Sequence, residues 1–172
     1  MIGSHDEYVI SSVAEWAIRD AEAADVTSIC AFGDAYIRQH YAPLIGVEAA
    51  DLQVLNWWSE SQIHLAVTGG LMVVAEAVGG IVGVAQRGRD ASDHVLYKLY
   101  IAPVYRGRGL GPALIEAVIQ RLPSNGARLC VEHFAGNERA GAFYEREGFF
   151  VERIERSGAD SARDVVWRVR DL

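Results

Sequence analysis

Arg106, Gly107, Arg108, Gly109, Leu110 and Gly111 bring three glycines and two guanidinium groups into six residues, between an apolar strand-like stretch (Leu96 to Ala102) and a helix-like one. This is the composition of a pyrophosphate cradle. Glycine lets the backbone approach an anion closely, and the start of the following helix offers unpaired N–H groups and a positive dipole end. Pro112 fits the first turn of that helix, where an N–H is not needed. The spacing matches neither G-x-G-x-x-G with an acidic residue about twenty positions on nor G-x-x-x-x-G-K-[ST], so the dinucleotide fingerprint and the nucleoside-triphosphate loop are excluded. A second group lies downstream. Asn137, Ala140, Phe143, Tyr144, Gly148 and Phe149 read N-x-x-A-x-x-F-Y-x-x-x-G-F. Ala140, Phe143, Tyr144 and Glu147 share one helix face at three-and-four spacing, and Gly148 is the expected C-terminal cap. Phe143 suits the core of an amphipathic helix, whereas Asn137 and Tyr144 are candidates for function.

The elements that must hold these residues follow from periodicity. A strand is expected near Ala17 to Arg19, then a helix capped by Asp25 with Val26, Ile29, Gly33, Tyr36 and Ile37 on one face. A second helix is expected around Glu48 to Gln62. Leu71 to Val78 and Ile81 to Arg87, joined at Gly79 and Gly80, read as an antiparallel hairpin. A strand from His94 to Ala102 leads into the glycine loop and a helix from about Pro112 to Arg121. The strand Arg128 to Phe134, the Asn137 helix, and strands at Phe149 to Glu155 and Val165 to Arg170 complete the chain. Such an order implies a mixed sheet with helices on both faces. Gly141, inside the Asn137 helix, has no explanation in the sequence.

Composition bounds the partners. With 172 residues, 51% of them hydrophobic and 23% charged, one domain with a substantial core is expected. Cys30 and Cys130, in helical and strand patterns, read as buried free thiols of a reducing compartment. The five histidines show no i, i+4 pairing and no Cys-x-x-Cys companion, so no metal site is expected. A formal net charge of −7 argues against nucleic acid and suits a cationic acceptor, while the local arginines at 106 and 108 suit an anion. Asp6 and Glu7 stand where a signal peptide needs a basic start, and no run of eighteen apolar residues occurs, so a cytoplasmic protein without a membrane partner is expected. Residues 1–13 are set aside as a flexible lead or expression remnant, leaving 14–172 as the domain.

Read as R-x-x-G-x-G, Arg106, Gly109 and Gly111 resemble the acyl-coenzyme A loop of the GNAT N-acetyltransferase superfamily. The Asn137 to Phe149 pattern resembles that family's second signature, at a family-like distance. The resemblance covers residue 16 to the carboxyl end, with its specific motifs between about residues 96 and 150. It implies an α/β (α+β) fold with a mixed central sheet of six or seven strands, helices on both faces, and a parallel strand pair that splays to admit pantetheine. It further implies that Leu99, Tyr100 and Ile101 offer backbone groups to the pantetheine and the thioester oxygen. Arg106, Gly107, Arg108, Gly109, Leu110 and Gly111 would bind the pyrophosphate, Asn137 would touch the cofactor arm, and Tyr144 would stand near the sulfur as general acid.

The chemistry has a physical basis. A thiolate leaving group has a pKa of about 8.5, and a phenol of about 10 can protonate it as it departs. An amine of pKa about 10 arrives protonated and needs a base before it can attack. Glu132, at the place where some family members that acetylate protein N-termini carry a basic glutamate, is the first candidate. Glu76, between Val73, Val74, Ala75 and Ala77, is the second, with burial expected to raise its pKa. Tyr41, Trp57 and Trp58 fall where the family builds acceptor pockets, and an aromatic face there can hold a cation. At least one tryptophan is assigned to the core. The implied activity is transfer from acetyl-CoA to a primary amine, a small molecule or amino acid derivative, by direct attack in a ternary complex. The alternatives are a protein or peptide amino group, tied to Glu132 as base, and a non-catalytic acyl-CoA-binding module. Dimers are frequent in the family, and Val165 to Val169 is expected as an edge strand able to pair with a second chain.

Overall fold

The computed structural model describes residues 15–124, 126–158 and 160–172, so the lead at 1–13 lies outside the described residues. Along the chain come β1 (Ala17–Asp20), α1 (Val26–Ile45), α2 (Val47–Trp57), α3 (Glu60–Thr68), β2 (Met72–Ala77) and β3 (Gly80–Asp90). They are followed by β4 (Asp93–Ile101), α4 (Leu110–Ile119), β5 (Arg128–Phe134), α5 (Glu138–Arg146), β6 (Phe150–Glu155) and β7 (Val165–Asp171). Seven strands form one sheet in the order β1-β2-β3-β4-β5-β7-β6. β4 and β5 pair in parallel, and the other neighbours pair antiparallel.

Alternation on β3 assigns the layers. A Cβ on Gly83 would lie 3.1 Å from Leu114 and 3.3 Å from Leu110, so that face carries α4. Val84 points the opposite way and is paired with Tyr100, whose ring meets Trp58 at 5.4 Å between centroids, so α1 and the end of α2 cover the other face. The core runs through both layers, with Ile29, Ile37, Ile63, Val74, Val84, Leu114 and Ile115 fully buried.

Several local expectations are corrected. The helix expected over Glu48 to Gln62 is two helices that break at Trp58 and Ser59, and the cause is packing. Trp58 is 4% exposed and turned inward, and Gly33 makes room for it: a Cβ there would stand 2.6 Å from the indole. The Asp25 carboxylate does not cap α1; it accepts from the Glu22 N–H (2.8 Å) and pairs with Arg19 (2.6 Å). α4 starts at Leu110, two residues before Pro112. β7 is not an edge strand. It lies between β5 and β6, and β6 forms the edge, so Val165 to Val169 has no free side to offer another chain. Cys130 is buried, but Cys30 is only half-buried, and both thiols are free.

Candidate active site

β4 and β5 stay paired only through His94–Leu129, Val95–Cys130 and Leu96–Val131, and beyond that point they separate. On β4 the separation begins at a bulge. Gln86 faces Lys98 while Arg87 faces Leu96, which leaves Tyr97 as an extra residue. The bulge reverses the alternation, so Leu96 turns to the α4 face while Lys98 and Tyr100 turn to the α1 face. Between the splayed strands opens a cleft of about 820 Å³, lined from β4 by Leu96 to Ile101 and from β5 by Val131 to Phe134.

At one end of the cleft stands the glycine loop. Gly107 and Gly109 have φ of +74° and +82°, conformations that a side chain would strain, and a Cβ at either would meet nothing within 4 Å. The backbone is therefore open on the side where an anion would approach. Gly109 occupies the N-cap of α4, and the N–H groups of Leu110 and Gly111 lie in the first turn, where the helix supplies no acceptor. Leu110 contributes only this backbone, because its side chain is buried. Arg106 lines the cleft and donates to the Ile101 carbonyl at 3.1 Å. Arg108 does not line it: its guanidinium pairs with Glu15 at 2.6 Å and rests over the Tyr105 ring. Two arginines that sequence reasoning missed, Arg139 and Arg146 on α5, line the same cleft.

Tyr144 lies on the cleft wall, 7% exposed, with its ring stacked on His133 and edge-on to Phe143 and Phe149. Its hydroxyl makes no hydrogen bond among the described residues. Burial, followed by the neighbouring Tyr41, pushes its pKa well above that of an ordinary phenol, so the proton stays on at any working pH. Asn137 caps α5, its Oδ1 accepting from the Ala140 N–H (3.2 Å), while its Nδ2 donates to His40 Nε2 (3.2 Å). Burial, then Arg106 and Arg139, depress the His40 pKa, which keeps it a neutral acceptor. Gly141 now has its reason: a Cβ would sit 3.2 Å from the His133 ring, so glycine lets α5 close on β5 and β7.

The two candidate bases part company. Glu132 lines the cleft, on the face of β5 opposite to His133; it is exposed on that side, and partial loss of hydration first and Glu155 second raise its pKa against the opposing pull of Arg153. Glu76 does not line the cleft and is not buried. Its side chain is 48% exposed and pairs with Arg19 at 3.0 Å, because it projects from the end of β2 against β1. Across the cleft Tyr41, Trp57 and Trp58 come together with His40 and Phe134. Trp57 is 55% exposed and Trp58 is core, as expected for one of the pair. Tyr41 bonds through its hydroxyl to Tyr100, and its ring stands edge-on to Phe134.

Lys98 is a further residue that sequence reasoning passed over. It is 7% exposed, donates from Nζ to Gln86 Oε1 at 2.5 Å, and lies over the Trp58 ring at 5.4 Å. Burial lowers its pKa to about 8. A lysine in the middle of an otherwise apolar stretch, Val95 to Ile101, was the available signal. Among the described residues no group of His, Cys, Asp and Glu could hold a metal, and no helix is long and apolar enough to cross a membrane.

This geometry has relatives. Residues 68–151 match the model of the acetyltransferase (GNAT) domain. An uncharacterised N-acetyltransferase of Mycobacterium tuberculosis is 37% identical over 59% of this chain and 67% of its own length. Mycothiol acetyltransferase of Corynebacterium glutamicum is 30% identical over 59% of this chain, a stretch that spans only 32% of that protein. Among solved structures, the PaiA N-acetyltransferase of Thermoplasma acidophilum, in complex with coenzyme A, aligns with a TM-score of 0.77 at 17% identity over 91% of this chain and 99% of that one. The ribosomal-protein-S18-alanine N-acetyltransferase of Escherichia coli aligns at 0.65 and 24% identity, over 91% and 94%. Splayed parallel strands, a glycine loop at a helix start and a tyrosine helix beside them, together with these matches, make the chain a member of the GNAT acetyltransferase family.

Proposed function

We propose that the protein transfers the acetyl group of acetyl-CoA to the primary amine of a small molecule, by direct attack while both substrates occupy the cleft. The observation that carries this reading is the convergence, on one cleft, of the open glycine loop, the Tyr144 phenol and the Glu132 carboxylate. The residues present fit the co-substrate. The loop backbone of Gly107, Gly109 and Gly111 with Arg106 suits its pyrophosphate, with Arg139 and Arg146 adding positive charge along the same cleft. The β4 edge from Leu99 to Ile101, freed from β5 by the splay, can offer backbone groups to its pantetheine arm. Bound there, the thioester supplies an activated acetyl group.

The chain's own residues manage the protons. Glu132 takes a proton from the incoming ammonium, directly or through water, which frees the lone pair that forms the N–C bond. As the C–S bond breaks, Tyr144 donates its O–H toward the sulfur. Because burial makes that phenol a weak acid, its main contribution is a short hydrogen bond to the developing thiolate in a dry wall, with solvent later restoring any proton passed on. No cysteine lines the cleft, which supports direct transfer over a covalent acyl-enzyme. The aromatic wall of Tyr41, Trp57 and Trp58 closes the acceptor side and favours a small amine over a protein surface.

The test is thiol release from acetyl-CoA across amino acids, polyamines, aminoglycosides and short peptides. Release that depends on one amine class is expected, with one acetylated acceptor formed for each thiol released. Release with peptides alone would move the acceptor to a protein amino group, and binding of acetyl-CoA without release to any amine would leave a binding module.

A further inference from the structure

Resting on that transferase reading, the remaining question is which amine. Lys98 is the one lysine of the chain, and it lies inside the cleft on the acceptor face, below the aromatic wall. Its ammonium has three N–H donors. Among the described residues it meets one neutral amide, Gln86, and one aromatic face, Trp58, and it forms no ion pair. Outside the cleft, Arg19, Arg38, Arg121, Arg128 and Arg156 are each matched with a carboxylate, whereas Lys98, like Arg106 in the same cleft, has none among the described residues. A buried cation without an anion is costly, and charges are seldom kept inside a protein unless paired. With a pKa of about 8, Lys98 is still mainly cationic at neutral pH, and among the described residues no carboxylate answers it, while the open cleft leaves room for one carried by a ligand.

We propose that Lys98 receives a carboxylate of the acceptor, so that the substrate is an amine that also carries an acid: an amino acid or a close derivative of one. One cation matches one negative charge. The surrounding groups suit a carboxylate, since Gln86 can donate its Nε2–H₂, and Gln53 and Gln62 add amides from α2 and α3 along the cleft. The opposite end of the substrate finds its own partner, because Glu132 stands on the other strand of the splay and faces the same opening. Lys98 thus determines specificity and does not touch the reacting atoms.

The experiment uses matched pairs: phenylalanine with phenethylamine, leucine with 3-methylbutylamine, and β-alanine with ethylamine. Each is titrated by calorimetry onto the protein saturated with coenzyme A, and each is assayed for turnover with acetyl-CoA. The proposal expects the acid of at least one pair to bind and react about 30-fold or more better than its partner, as a buried charge-assisted pair should. Lys98→Met and Lys98→Gln should both erase that ratio, chiefly through KM, while activity toward the amine lacking the acid changes less than about 3-fold. Equal binding of both members by the wild type, binding of neither in every pair, or a ratio untouched by both variants overturns the assignment. Carboxylate-dependent binding without any turnover would instead remove the transferase reading and leave the Lys98 site standing.

Discussion

Holding Lys98 as a buried ammonium has a stability consequence that can be worked from the structure. Its pKa falls from 10.5 to about 8 because burial strips its hydration. The unfolded chain therefore binds the proton more tightly than the folded one, and stability rises with pH between those two values. At about 1.4 kcal/mol per tenfold change in affinity, the charged side chain destabilises the fold by about 3 kcal/mol at pH 7. At pH 9.5 the same linkage leaves only about 1.4 kcal/mol, since the folded protein has by then released the proton. Lys98→Met removes this term and leaves Gln86 Oε1 without its donor, a loss of about 1 kcal/mol at either pH. The variant should thus be more stable than wild type by about 2 kcal/mol at pH 7 and nearly equal to it at pH 9.5. Urea unfolding of both proteins at the two pH values, read as the difference so that other titrations cancel, gives the measurement. A difference that stays constant between pH 7 and 9.5, or a destabilised variant at pH 7, would refute the reasoning that Lys98 is a buried, unpaired cation. A gain in stability joined to a loss of substrate preference is the usual signature of a residue kept for function.

Glu132→Gln should lower the rate at neutral pH and let it recover only as pH approaches the amine pKa of about 10, where free amine no longer needs a base. In the wild type the raised Glu132 pKa should place the acid limb of kcat/KM above the ordinary carboxylate range, and an unchanged profile in the variant would remove Glu132 from the role. Gly109→Ala imposes φ of +82° on a residue with a Cβ and should reduce stability by about 1–2 kcal/mol; the Cβ also enters the open side of the loop, so the Kd for acetyl-CoA should rise at least about 10-fold by calorimetry. Asn137→Ala removes the α5 cap and the contact to His40, and urea unfolding should register a loss of about 1 kcal/mol.

The strands, the glycine loop and the Asn137 helix were legible in the chain because each has a local cause: alternation in the strands, positive-φ glycines at Gly79, Gly80, Gly107 and Gly109, and three-and-four spacing closed by a positive-φ glycine, Gly148, in the helix. Strand β5 begins and ends where periodicity put it, at Arg128 and Phe134. What escaped depends on contacts distant in sequence. Glu76 sits among apolar neighbours, yet β1 brings Arg19 beside it and the sheet leaves it exposed, so composition alone misjudged its burial. The break between α2 and α3 is set by Trp58 seeking a slot that Gly33 opens, 25 residues upstream. Strand order is equally non-local: β7 inserts between β5 and β6, which no pattern within Val165 to Asp171 encodes. Lys98 escaped because a regular strand puts Leu96, Lys98 and Tyr100 on one face, and only the bulge at Tyr97 separates Leu96 from the other two. Arg139 and Arg146 escaped for a simpler reason, since charged residues on a helix usually face solvent and only the neighbouring loop makes them part of a cleft.

If one cleft both holds acetyl-CoA and moves its acetyl group with Tyr144 at the sulfur, loss of the phenol should spare binding and cost turnover. Tyr144→Phe tests this, with the Kd for acetyl-CoA and kcat measured on the same preparation, using the acceptor that the amine panel identifies. Kd should stay within about 3-fold of wild type, because the ring packing on His133, Phe143 and Phe149 is kept. kcat should fall about 100-fold or more, because the O–H is gone. A kcat within about 3-fold of wild type, with acetyl-CoA still bound, would remove Tyr144 from the reaction.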